Sequence, residues 1–271
     1  MENQRILLVG QEMLPYLEES SMARTLRYLA PYLQGKKSEI RLLMPRFGNI
    51  NEKRHRLHEV VRLSGINIII NEDDNPMIIK VASLPDARIQ VYFLDNEDLF
   101  SRKSVFRDEN NDFYADNDLR MIFFCKGVLE TVKKLGWAPD IVHCHGWMTS
   151  LIPLYLKKVY NNEPVFDNAK VIYSIYENAF SEKMNSNFLE KAKIDDSVLD
   201  EDLDAFKDGS FISLNKGAIQ RSDGVIIGNE NIEPELKTFT AKLKDQPVLK
   251  YQNENDYLAA YYDFYKQVSN N

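Results

Sequence analysis

The chain has 271 residues and a formal charge of −7, with 44% hydrophobic and 28% charged residues. That is enough chain for one large α/β domain or two small ones, and the composition argues against a disordered or low-complexity protein. The negative balance gives nucleic acid no general attraction, and no apolar run reaches the roughly 18 residues of a membrane span, so neither nucleic-acid nor membrane contact is expected and a cytoplasmic location is.

Short β-rich runs alternate with longer helical patterns. "RILLVG" (5–10) reads as a first strand, followed by a loop and a helix, "SMARTLRYLAPYLQG", opened by Ser20 or Ser21, bent or ended near Pro31 and stopped at Gly35. Strands are then expected at 39–45, 67–71, 78–84, 89–95, 140–145, 169–176 and 224–229. Several are apolar on both faces, which suits a parallel sheet covered by helices on both sides. Between the first two, Arg46, Lys53, Arg54, His55, Arg56, His58 and Arg62 form a basic cluster, read as a solvated loop and helix face.

"DNDLRMIFFCKGVLETVKKLG" (116–136) is the clearest helix, with capping residues at its start and Lys-Lys-Leu-Gly at its end. "GWMTSLIPLYLKKVY" (146–160) reads as another despite Pro153. The acidic stretch 187–210 reads as a surface excursion, and "NENDYLAAYYDFYKQV" places Tyr257, Leu258, Tyr261, Tyr262 and Tyr265 at helical spacing, the pattern of a docking helix. The two cysteines, Cys125 and Cys144, lie in apolar segments and read as buried thiols.

Ligands of open α/β sheets bind beyond the carboxyl ends of the strands, which directs attention to residues 10–22, 143–149 and 174–180. His143 and His145 share one strand face, but no third ligand follows at a useful spacing, so no metal or other cofactor is expected and His145 is read as a hydrogen-bonding or structural histidine.

The segment "PDIVHCHGWMTSLIPLYLK" resembles the pattern P-D-V-V-H-x-H-D-W-H-T, followed by A-L-x-P-x-Y-L-K, of bacterial glycogen synthases and plant starch synthases. "VYFLDNEDLFSR" and "DFYADNDLRMIFFCKGVLE" resemble F-L-D-N-x-x-x-F-x-R and D-N-x-x-R-F of the same family, with Asp95, Asn96, Phe100, Arg102, Asp116, Asn117 and Arg120 in register. "SLNKGAIQRSDGV" resembles F-L-K-x-G-I-x-x-A-D-x-V, so the likeness runs from about residue 5 to about 236. It implies a mainly parallel Rossmann-like sheet with helices on both faces, as in the N-terminal domain of a GT-B glycosyltransferase. That domain is expected over 1–240, with 241–271 as a tail carrying the docking helix.

The same resemblance locates the departures. The family start, S-E-V-x-P-F-A-K-T-G-G-L-A, puts its lysine on Glu18, its threonine on Glu19 and its two glycines on Ser20 and Ser21. The family Asp before Trp147 is Gly146, the histidine after it is Met148, and in "SIYENAF" the family histidine and asparagine are Tyr176 and Glu177. In that family the lysine and glycine amides face the pyrophosphate of a nucleotide-sugar, and carboxylates there oppose it.

The resemblance therefore implies a protein related to enzymes that transfer glucose from a sugar nucleotide to an α-1,4-glucan, but inactive alone: a pseudoenzyme binding a glucan or a partner. His145, Trp147, Asp116, Asn117 and Arg120 are the expected ligand-contacting set. Family synthases have a second Rossmann-like domain supplying most donor contacts. The alternative expectation is thus a half-enzyme completed by a protein partner that carries such a domain.

Overall fold

The computed structural model describes residues 4–270. In chain order β1 (Arg5–Gly10) leads to α1 (Ser21–Gly35), β2 (Glu39–Pro45), α2 (Glu52–His55), β3 (His58–Glu59), β4 (Ile66–Ile70), β5 (Asp73–Ser83), β6 (Gln90–Asp95), α3 (Glu97–Phe100) and α4 (Asn117–Leu135). Then come β7 (Ile141–His145), α5 (Ile152–Lys158), β8 (Lys170–Ile175), α6 (Phe188–Ala192), α7 (Phe211–Arg221), β9 (Gly224–Ile227), α8 (Pro234–Thr240), β10 (Val248–Leu249) and α9 (Tyr257–Ser269).

The strands form one sheet in the order β10-β9-β8-β7-β1-β2-β6-β5-β3, with β4 paired to β5. Every neighbouring pair from β10 to β6 is parallel. Ile6, Leu7, Leu8 and Val9 of the central strand are fully buried, as a strand covered on both faces requires.

The strands expected at 67–71 and 78–84 instead form an antiparallel ribbon, β4 against β5 and β5 against β6. Asn71 and Glu72 take φ of 48° and 68°, the left-handed pair that turns a two-residue hairpin. In β4, Ile68 and Ile70 are buried while Asn67 and Ile69 face outward. That alternation is the mark of a half-solvated strand, and it was masked by a run of isoleucines.

Right-handed crossovers decide which face each helix covers. The step from β1 to β2 places α1 on one face, whereas the steps from β6 leftward to β7, β8, β9 and β10 place α4, α5, α7 and α8 on the other. The first face would then be bare over β7 to β9, and α9 fills it. Phe264 and Val268 of α9 lie so close over Gly224 that a Cβ there would come within 2.8 Å of Val268. Helix α9 within the segment 253–268 thus docks on the sheet, as its tyrosine spacing suggests.

Helix α1 runs through Pro31 to Gly35, with Ser20 as its N-cap. Helix α4 ends at Gly136 in the left-handed conformation, φ 59°. The expected single helix over 146–160 is split into a 3-10 turn, Trp147–Thr149, and α5, with Pro153 in the first turn of α5 where its missing N–H costs no bond.

The acidic stretch 187–210 is more than a surface excursion. Val198, Leu203 and Phe206 are buried, and Asp202 receives Lys158 at 2.9 Å and Arg221 at 2.8 Å. The basic cluster is largely solvated, except that Arg46 is held by Asp95 at 2.9 Å and Glu52 at 3.3 Å.

Candidate functional site

The carboxyl ends of β1, β7, β8 and β9 converge on the start of α1. The loop 11–20 closes on itself here. The Ser20 hydroxyl accepts from the Ala23 backbone N–H at 3.0 Å and donates to Glu12 Oε2 at 2.6 Å. The Ser21 hydroxyl donates to Asn229 Oδ1 at 2.9 Å, and the Glu177 backbone N–H donates to the same oxygen at 3.1 Å.

Glu18 and Glu19 are both exposed. Arg24, one turn into α1, is gripped on one side by Glu19 and on the other by Glu254 from the segment before α9. These two carboxylates raise the pKa of the guanidinium. The cation beside the loop is thus already neutralised twice over.

Gly146 follows β7 with φ of 78°, a conformation that a side-chain-bearing residue adopts only with strain. A Cβ here would run into the Met22 methyl and come within 3.0 Å of Gln11 Oε1. The Met148 backbone N–H donates to that Gln11 oxygen at 3.1 Å. Met22 and Gln11 fill the space a side chain at 146 would need, which is why glycine stands there.

His143 and His145 are both fully buried, with ring centroids 3.8 Å apart. The His143 Nδ1 is hydrogen-bonded to the Tyr265 hydroxyl at 2.6 Å and its Nε2 to the Ser174 hydroxyl at 2.7 Å. The His145 Nδ1 meets the Tyr176 hydroxyl at 2.8 Å, while its Nε2 has no partner among the described residues. Burial lowers the pKa of His145 to about 3, and burial beside His145 holds His143 well below its usual value. Both imidazoles are neutral at pH 7.

Trp147 is 2% exposed. Its ring lies 4.9 Å from Phe106 and 5.1 Å from Phe180, and Phe180 stacks on Phe113 at 4.9 Å. Phe113 and Phe180 are half-buried and form the outward layer of this cluster. Beside them Arg107 and Glu182 form a two-pronged ion pair at 2.6 and 2.8 Å, which draws the Glu182 pKa down to about 2.

Asn117 and Arg120 face inward, and Asp116 is half-buried beside them. Asp116 is paired to Arg102 at 2.6 Å, and the Asn117 side-chain N–H donates to the Phe106 carbonyl at 2.9 Å. Arg120 is fully buried and donates to the carbonyls of Leu99 at 2.8 Å and Val105 at 2.7 Å and to Asn117 Oδ1 at 2.6 Å. Burial is the main force lowering its pKa to about 10. These three residues pin the segment that carries Phe106 under Trp147.

Of the residues singled out in the sequence, Glu19, Ser20 and Ser21 line one cavity, Glu18 is exposed beside them, and Gly146 and Tyr176 are buried. His145, Trp147, Asn117 and Arg120 lie behind the surface, and Asp116 is engaged with Arg102. Sequence reasoning missed Arg24, Asn229, Phe113 and Glu254. Asn229 carries a detectable signal, as the last residue of a strand-end segment; Glu254 carries none, since its partner lies 230 residues away.

A parallel sheet with helices on both faces and polar loops at its carboxyl edge is the architecture of a GT-B glycosyltransferase domain. Its fold is similar to that of the Arabidopsis thaliana starch synthase IV catalytic domain bound to ADP and acarbose, with a TM-score of 0.68 at 18% identity over 83% of this chain and 45% of that one. The family model of the starch synthase catalytic domain matches residues 5–250, and the chain belongs to that family. It is 41% identical to a glycogen synthase of Chlorobium luteolum over 64% of this chain, and 32% identical to one of Chlorobaculum tepidum over 92%. The chain spans 36% and 49% of the length of those two relatives.

Proposed function

We propose that this glycogen and starch synthase-related chain binds an uncharged glucan or a protein partner and, by itself, does not transfer glucose from a sugar nucleotide. The observation that carries this reading is Arg24 held between Glu19 and Glu254 beside Glu18, where the family has a lysine and two glycines. A diphosphate brought to that loop meets three carboxylates and one spent guanidinium. Each of those carboxylates opposes a diphosphate in sign, where the phosphate-facing groups of a donor site would attract it.

The half-buried Phe113 and Phe180, backed by Trp147, are our candidate for the glucan-facing surface, since flat apolar rings suit the faces of sugar rings. His145, Asp116, Asn117 and Arg120 then act from behind it, holding the loops. Residues 1–240 are taken as the family core and 241–271 as a tail that covers its open sheet face.

A second reading, resting on the family resemblance alone, is an enzyme that works together with a partner carrying a donor-binding half. The test is a nucleotide-release assay with ADP-glucose or UDP-glucose and glycogen. We expect release no faster than a denatured control. Release above it sinks the first reading, and release only on adding a stoichiometric partner from native lysate favours the second.

A further inference from the structure

The crossover from β9 to β10 leaves part of the sheet uncovered. Side chains alternate along a strand, so Val225 and Ile227 share one face of β9, and Val248 of β10, paired opposite Val225, joins them. Gly224 belongs to the other face, where Phe264 and Val268 of α9 lie over it. Over the edge formed by β9 and β10 the crossover supplies only the seven residues of α8, which bury Leu236 and Thr240 and then end.

The result is a cavity of about 580 Å³ between α8, the end of β9 and β10. Its walls are mainly apolar, from Ile227, Ile232, Leu243 and Val248. Ile232 is buried, but the other three are half-buried, so apolar surface stays open to a ligand. The size is ordinary for a small-molecule site.

The uncharged polar groups deeper in the cavity are spent. The Thr240 hydroxyl donates to the Leu236 carbonyl at 3.0 Å, and Gln246 Nε2 donates to the carbonyls of Ile219 at 2.8 Å and Ser222 at 2.5 Å. What is unspent is cationic. Lys237 and Lys250 line the cavity and have no hydrogen-bond or carboxylate partner among the described residues, whereas Lys157, Lys191 and Lys216 each hold a carboxylate.

The surroundings have the same sign. Residues 236–250 carry Lys237, Lys242, Lys244 and Lys250 against Asp245 alone, in a chain whose formal charge is −7. Opposing them at the cavity are Glu230, which is exposed, and the carbonyl end of α8, equivalent to about half a charge at most. A bare phosphate would leave the apolar walls wet, and a sugar would find few free hydrogen-bond partners for its hydroxyls.

We infer that this cavity binds an amphipathic anion, with an apolar body in the crevice and a single acidic head at Lys237 and Lys250. The inference is independent of the altered loop before α1, none of whose residues lines this cavity.

The test is an amide chemical-shift titration of the isotope-labelled full chain with octanoate, octanol and octylammonium, which share one apolar body and differ in the charge of the head. Octanoate should shift amides within 227–250 and bind at least about five-fold more tightly than octanol, with octylammonium weakest. Lys237→Gln and Lys250→Gln should each weaken octanoate by about three-fold or more and leave octanol unchanged. Ala241→Trp, at an exposed position on the cavity wall, should weaken both by filling the crevice. Lys53→Gln, in the basic cluster around α2, should change neither. The unperturbed remainder of each spectrum checks that the variant keeps its fold.

Absence of octanoate binding, octanol or octylammonium bound as tightly as octanoate, or shifts confined to residues outside 227–250 overturns the inference. So does octanoate affinity unchanged in both lysine variants or in folded Ala241→Trp. A loss in Lys53→Gln as large as in Lys250→Gln overturns it too, because the attraction would then be a general one.

Discussion

The segment around α4 and the loop before α1 both carry family motifs, yet they have fared oppositely. Around α4 the motif side chains are intact, and they point inward: Arg120 and Asn117 donate to the carbonyls of Leu99, Val105 and Phe106. At the loop before α1 the backbone plan survives, with a capped helix start beside the strand ends, but Glu18, Glu19, Ser20 and Ser21 replace the residues that face a ligand. The retained motif residues are largely those that hold the scaffold, and the replaced ones are those to which our proposal assigns the lost contact with a nucleotide-sugar. Family resemblance measured over such a chain reports the fold more faithfully than the chemistry.

The largest effect is expected from breaking the intact side of that contrast. Arg120→Met removes the donors to two buried carbonyls and should cost about 2–5 kcal/mol in urea unfolding, because each orphaned buried carbonyl carries its own desolvation penalty. A cost under 1 kcal/mol would mean the loop from 99 to 106 is held by other contacts.

Next comes the histidine pair beneath α9. Both folded-state pKa values lie below the unfolded value, so the unfolded chain takes up protons that the native one does not as pH falls below about 6.5. Stability is full above that pH and should fall as pH drops from 6 to 5, by up to about 1.4 kcal/mol per pH unit for His145 and further for His143. Denaturation curves across that range check the sign. Half the combined slope would show that one of the imidazoles is protonated in the fold, and a flat profile that both are.

A smaller effect sharpens the altered side. Gly146→Asp restores the family residue but forces a side chain into a left-handed backbone against Met22, and should cost about 1–3 kcal/mol. A neutral outcome would mean that Met22 and Gln11 yield easily and that the pocket can revert.

The parallel strands were legible because runs such as "RILLVG" and "GVIIGN" carry apolar residues on both faces and end in polar loops. The ribbon of β4 and β5 was not, since "NIIIN" hides its alternation, and the two-residue strands β3 and β10 are too short to leave a pattern. The tyrosine spacing of α9 was visible, but its place on the sheet follows from the crossover rule applied to a known strand order. The Glu18 to Ser21 loop was readable by register against a family pattern. Its link to Glu254 was not, because a contact across 230 residues leaves no local trace.

The central claim is that this loop rejects a diphosphate on electrostatic grounds. Its most direct test is titration of ADP into the native chain and into the Glu18→Lys, Glu19→Thr, Ser20→Gly, Ser21→Gly variant. No measurable binding to the native chain and an affinity at least about ten-fold higher in the variant is the predicted result. Tight ADP binding to the native chain, weakened by restoring the lysine and glycines, would contradict it.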